Sequence, residues 1–203
     1  MIDGHFVILG ALLSLVGSAR YALQTVRGRT RPNRVTWFLW AIAPIIGFIA
    51  QLDGGVGLPS IMTLSVGVGP AIIFLASFVN PVSYWRIAPF DVACGLASVL
   101  ALVVWLSLDD PKAAVVCAVL ADLLAGVPTI RKGWSDPATE NGAVFVLSAA
   151  NAVVTLFTID RWDVATWAFP VYIAAIGLTL FLIVQLRLGV SWRALRSDAV
   201  APA

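Results

Sequence analysis

Seven apolar stretches run along the chain, at about 6 to 26, 35 to 51, 58 to 79, 89 to 107, 113 to 131, 142 to 158 and 164 to 186, separated by short breaks of charge, glycine and proline. Each is near the roughly 20 residues that a helix needs to cross the hydrocarbon core of a bilayer. The pattern predicts an all-α integral membrane protein with seven transmembrane helices and no soluble domain, and a loosely ordered tail after Arg187. The first stretch reads as a retained helix rather than a cleaved leader. Asp3 but no Lys or Arg precedes it, and a dense basic cluster follows it.

Composition agrees and narrows the chemistry. The chain is 60% apolar and 12% charged, with a mean hydropathy of +0.94, whereas about a quarter of the residues in a soluble domain are charged. A net charge of +2, from basic residues spread over short loops, gives no support for a nucleic-acid partner. Cys94 and Cys117 lie inside apolar stretches and read as small buried hydrophobes. With a single histidine, His5, and no Cys/His cluster, the chain lacks the parts for metal-dependent or triad chemistry, so no enzyme, metal or cofactor is expected.

The loop charges predict an orientation. Arg27, Arg29, Arg31, Arg34, Arg86, Arg131, Lys132, Arg187, Arg193 and Arg196 fall on one side of the alternating loops, against Lys112 and Arg161 on the other. The basic side is expected to be cytoplasmic, which puts the N-terminus outside and the C-terminus inside a bacterial cytoplasmic membrane.

The chain also repeats itself. Thr25-Val26-Arg27 recurs as Thr129-Ile130-Arg131, 104 positions on, and each copy runs into a polar hook containing a proline, Pro32 or Pro137. Helices 1 to 3 and 5 to 7 match as two three-helix units, and one inverting linker helix leaves the copies parallel. Leu58-Pro59 and Phe169-Pro170, near the starts of the third helices, correspond loosely. The division is a first repeat over 1–80, a linker helix over 81–110, a second repeat over 111–187 and a cytoplasmic tail over 188–203.

This three-plus-one-plus-three layout resembles the PQ-loop superfamily, which includes the SWEET sugar facilitators and the lysosomal amino-acid exporters. The namesake Pro-Gln pair is represented by Leu23-Gln24 in the first copy and Pro128-Thr129 in the second, half a motif each. The resemblance implies a carrier that alternates its access about proline hinges, for which Pro44 and Pro128 can supply the kinks. A vitamin-precursor transporter of the nicotinamide riboside type shares the layout. A retinal protein does not fit, because the only lysines are Lys112 and Lys132, both at helix ends.

Asp122 is the leading candidate for a functional residue. Near the middle of helix 5, a lipid-facing carboxylate would cost roughly 2.5–3.5 kcal/mol, so it is expected to face the interior. Its counterpart 104 positions earlier is Ser18. The stripes Ser14, Ser18, Tyr21, Thr25 and Ala118, Asp122, Ala125, Thr129 are spaced by three and four, so each occupies one helix face. They are expected to line a pathway with Asp122 as solute ligand or proton carrier, or else to tie helices together. Asn151 reads as interhelical glue or a ligand contact. Trp40 is deep enough to stack a solute ring, while Trp37, Trp85, Trp134, Trp162 and Trp167 read as an interfacial belt. Arg20, Gln24 and Arg27 form a separate stripe turned away from the pathway, with Arg20 snorkelling to headgroups.

In the hooks, Arg27 and Arg31 of the first and Asp136 and Glu140 of the second suggest a cytoplasmic gate, or topology signal plus anionic-lipid contact. Gly67 and Gly69 mark a close helix contact within the bundle or between protomers, which leaves a homo-oligomer open. The function expected is a carrier, facilitative or proton-coupled, for a small polar solute such as a sugar, amino acid or vitamin-like heterocycle. The alternative is a non-transporting accessory, assembly or receptor protein on the same scaffold.

Overall fold

The computed structural model describes residues 2–53, 57–107, 111–160 and 162–193; Arg161, Arg196 and the tail from 194 lie outside them. The described residues are all-helical, with no strand. The helices are α1 (Phe6–Val26), α2 (Arg34–Asp53), α3 (Ser60–Ala76), α4 (Pro89–Leu106), α5 (Pro111–Ser135), α6 (Gly142–Phe157) and α7 (Val164–Gln185), with a short 3-10 turn at Pro137–Thr139.

Local chemistry fixes where these helices begin. Pro89 and Pro111 open α4 and α5, at the position where a missing N–H costs nothing. The Asn33 side chain accepts from the backbone N–H of Val35 at 3.0 Å, and the Asn141 side chain from that of Ala143 at 2.9 Å. Both second helices after a hook are thus capped by asparagine, which satisfies an otherwise orphaned donor. Asp163 and Thr166 close a reciprocal capping box at the start of α7.

Six helices close a ring in the order α1, α3, α2, α5, α7, α6 and back to α1, while α4 lies outside against α5 and α2. Hydrogen bonds fix the relative directions. Ile2 donates its backbone N–H to Phe157 O at 3.1 Å, and at the other end of the same pair the Tyr21 hydroxyl reaches Glu140, so α1 and α6 are antiparallel. Thr36 Oγ1 donates to Ala125 O at 2.7 Å and Trp40 Nε1 to Asp122 O at 3.0 Å, which makes α2 and α5 antiparallel as well. The ends of α1 and α5 and the starts of α2 and α6 therefore gather, with both hooks, at one end of the bundle, called here the basic end.

Two glycines let α3 approach α2 and α7 approach α6. A Cβ at Gly67 would sit 3.2 Å from Ala41 O of α2, and one at Gly177 would sit 2.7 Å from Phe145 O of α6. Gly69 faces Ser18 of α1. Gly67 and Gly69 therefore serve contacts inside the bundle.

The outside is apolar. Leu12, Val16, Leu75, Leu96 and Leu100 are each more than half exposed, among many other large hydrophobic side chains. Two helical segments, Phe6–Val26 and Thr166–Gln185, are long and apolar enough to cross a membrane, and the apolar parts of α2, α3, α4 and α6 are shorter. Cys94 and Cys117 are half-buried rather than buried.

Candidate functional site

A cavity lies at the centre of the ring, and every ring helix contributes to its wall. Ser14 and Ser18 come from α1, Trp37 and Trp40 from α2, Pro70 from α3, Asp122 from α5, Phe145 and Ser148 from α6 and Gly177 from α7. Counted as room for the centres of water molecules, its volume is about 50 Å³, enough for a few waters. Most of its wall is apolar, so its few polar groups dominate what it can bind.

Asp122 is the charged residue of that wall and is only 5% exposed. Its Oδ2 accepts from the Tyr172 hydroxyl of α7 at 2.7 Å. Trp40, which donates to the Asp122 backbone carbonyl, is held edge-on to Trp37 with ring centroids 5.4 Å apart. Trp37 in turn stacks on Phe145 at 6.2 Å and 21° and tilts against Tyr21 at 4.9 Å. The indole N–H of Trp37 is buried and has no hydrogen-bond partner among the described residues. Trp37 is 2% exposed, so it belongs to the aromatic floor of the cavity and not to an interfacial belt.

Below that floor the basic end is sealed by buried polar groups. Glu140 receives the Tyr21 hydroxyl on Oε2 at 2.7 Å and the Lys132 ammonium on Oε1 at 2.6 Å. Lys132 also donates to the backbone carbonyl of Arg31, and Arg31 N–H donates to Thr139 O at 2.9 Å. The two hooks are therefore stitched together by these bonds to the Arg31 backbone, beside one buried ion pair within the second hook. Lys132 follows the apolar stretch of α5; burial pushes its ammonium below the ordinary lysine range, and the Glu140 carboxylate pulls it back.

The residues singled out in the sequence divide between these places. Asp122, Ser18 and Trp40 meet at the cavity. Tyr21 and Glu140 meet below it, and Gln24 accepts from Asn141 Nδ2 at 2.6 Å beside them. Thr129 is buried, while Arg27 and Arg31 are exposed, and Arg31 joins the seal through its backbone. Asp136 is half-buried. Pro44 and Pro128 lie inside α2 and α5. Asn151 is fully buried away from the cavity wall, where its Nδ2 donates to Ser65 Oγ at 2.9 Å and its side chain fills the space beside Gly10.

The sequence pattern does not plainly mark Tyr172, Trp37, Phe145 or Lys132 as site residues. For Lys132 a signal existed: Asp122, Ala125, Thr129 and Lys132 continue one stripe by steps of three and four. Comparison of the chain with models of protein families, with characterised proteins and with solved structures finds no match.

Proposed function

We propose that the chain is an integral membrane carrier for a small polar solute, with Asp122 as the residue that binds the solute or carries a coupled proton. The observation that carries this reading is the cavity at the centre of the ring, with the buried Asp122 carboxylate in its wall held by the neutral Tyr172 hydroxyl. An intramembrane carboxylate facing a cavity marks a substrate or proton path. The exposed apolar exterior supports a bilayer around all seven helices, because short spans are accommodated by local thinning at modest cost. The orientation in this reading has the basic end in the cytoplasm.

The repeat reading has three supports. The order of neighbours is unchanged when α1, α2 and α3 are exchanged with α5, α6 and α7. The capping residues Asn33 and Asn141 correspond, and so do the stacked rings Trp37 and Phe145, at the same offset of 108. Gly67 and Gly177, 110 positions apart, make the same helix approach. A two-fold exchange of this kind is what two parallel units joined by a linker helix require, and it keeps the likeness to the PQ-loop layout as the best account of the topology. In this reading the Lys132–Glu140–Tyr21 cluster is the closed cytoplasmic gate. Ser14, Ser18 and Trp40 complete the solute path, which must widen when an end opens because the present cavity holds only waters.

The test is uptake into proteoliposomes of sugars, amino acids and heterocyclic vitamins. Asp122→Asn is expected to fold normally and to lose uptake or its dependence on a proton gradient. A folded Asp122→Asn protein with full, gradient-dependent uptake overturns the assignment. The narrowness of the cavity is also what a non-transporting accessory protein would show; co-purification with a partner and no uptake of any solute would establish that instead.

A further inference from the structure

A second cavity, separate from the central one, opens at the basic end between α1, the Pro137–Thr139 turn and the end of α7. By the same measure it holds about 300 Å³, and its wall is mainly polar: Arg20, Gln24, Asn141, Gln185 and Arg187, with Glu140 behind them. We propose that this cleft is a binding site for a phosphate-bearing anion, gripped by the guanidinium groups of Arg20 and Arg187.

Charge is the first support. The cleft has two arginines and one carboxylate in its wall, but both carboxylate oxygens of Glu140 are already engaged, by Lys132 and Tyr21. Its charge is thus compensated within the protein, and the two arginines leave a net positive opening. Guanidinium forks match phosphate oxygens in geometry and charge. Gln24 and Asn141 form a mutual hydrogen bond at 2.6 Å that fixes the wall between the arginines.

Backbone conformation is the second support. Among the described residues φ is positive at Gly28, Gly57 and Arg187, where it is +50°. A glycine would make the turn from α7 into the helical stretch at 188–193 without strain, yet an arginine occupies it. Residues held in such unfavourable conformations concentrate at binding sites, where the side chain has a use that offsets the strain.

The rim indicates where the anion comes from. Exposed Val16 and Leu23 lie one turn either side of Arg20 on α1, and exposed Leu182 and Leu186 flank Gln185. A polar slot with an apolar rim suits the headgroup of an anionic phospholipid whose chains lie along the helices; a free phosphate ester shares the headgroup chemistry without the chains. Such a site needs no transport activity, and only its lipid form requires a surrounding bilayer.

The full-length protein in detergent is titrated with phosphatidylglycerol, with phosphatidylcholine and with inorganic phosphate, and bound adducts and thermal unfolding are recorded. Phosphatidylglycerol is expected to bind and to raise the melting temperature more than phosphatidylcholine does. Arg20→Gln and Arg187→Gly should each weaken that binding about tenfold, while unliganded Arg187→Gly melts no lower than the parent because the strain is relieved. Stabilisation by phosphatidylglycerol alone assigns a lipid headgroup, and stabilisation by inorganic phosphate as well assigns a free anion. Should Arg20→Gln fail to fold, Arg187→Gly and Arg187→Gln carry the test. No preference for either anion over phosphatidylcholine, or a preference that survives in the folded arginine variants, overturns the proposal.

Discussion

The molecule buries two carboxylates in contrasting ways. Glu140, at the basic end, is gripped by an ammonium and a phenol on its two oxygens and shows 0% exposure of its side chain. Asp122, at the central cavity, has a tyrosine hydroxyl on one oxygen and no ion pair among the described residues. The first arrangement is closed: charge is cancelled in place, and each atom that could take a proton or ligand already has a partner. The second is held by a neutral hydroxyl beside open volume, and no charge among the described residues cancels it in place. Burial alone does not distinguish the two acids; the identity of the partner does.

The contrast can be broken most strongly at the pair. Lys132→Met strands the Glu140 carboxylate, and a loss of about 3–5 kcal/mol is expected in denaturant unfolding of the detergent-solubilised protein. Most of that loss should return in the double variant with Glu140→Gln, since it is the unpaired charge that is costly. Equal losses in the single and double variants would mean that packing, not charge, holds this end. Asp122→Asn should do the reverse, lowering uptake about a hundredfold while stability changes by less than about 1 kcal/mol.

Smaller effects sharpen the picture. Gly177→Ala and Gly67→Ala should each cost about 1–3 kcal/mol by forcing apart a second and third helix; a large cost at one and none at the other would argue against equivalent roles. The finest comparison is a matched pair of hydroxyl deletions, each on the order of 1 kcal/mol in thermal unfolding. Tyr21→Phe should be the more costly because it uncovers a buried anion, and Tyr172→Phe should register in uptake more than in unfolding.

The helices are legible because long apolar runs are punctuated by charge and proline. The stretch read as 142 to 158 is α6, Gly142–Phe157, and that read as 164 to 186 is α7, Val164–Gln185. Asp122 and Ser18 both line the central cavity, as expected of polar residues in apolar helices, which turn inward. Partners on other helices were not legible. The bond from Tyr172 to Asp122 and the stack of Trp37 on Phe145 depend on the rotation of α7 and α6 against their neighbours, and helices apolar all round carry little phase information. By sequence Lys132 counts as loop charge, because a lysine at a helix end ordinarily reaches for water; its burial follows from Glu140, eight positions later, turning back over it.

The stack of Trp37 on Phe145 has a mechanical consequence. Flat rings lying 21° from parallel can slide over one another with little change in contact, unlike interlocked side chains, which must climb out of register. At Gly67 and Gly177, by contrast, backbone meets side chain and backbone too closely for slip. The pairs α2–α3 and α6–α7 are thereby each held stiffly, and the aromatic stack lies between the two pairs. Movement of α1, α2 and α3 against α5, α6 and α7 would be resisted by the bonds that cross between them, from Tyr21 to Glu140 and from Lys132 to the Arg31 carbonyl, and by the close approach of Gly10 and Gly17 of α1 to α6.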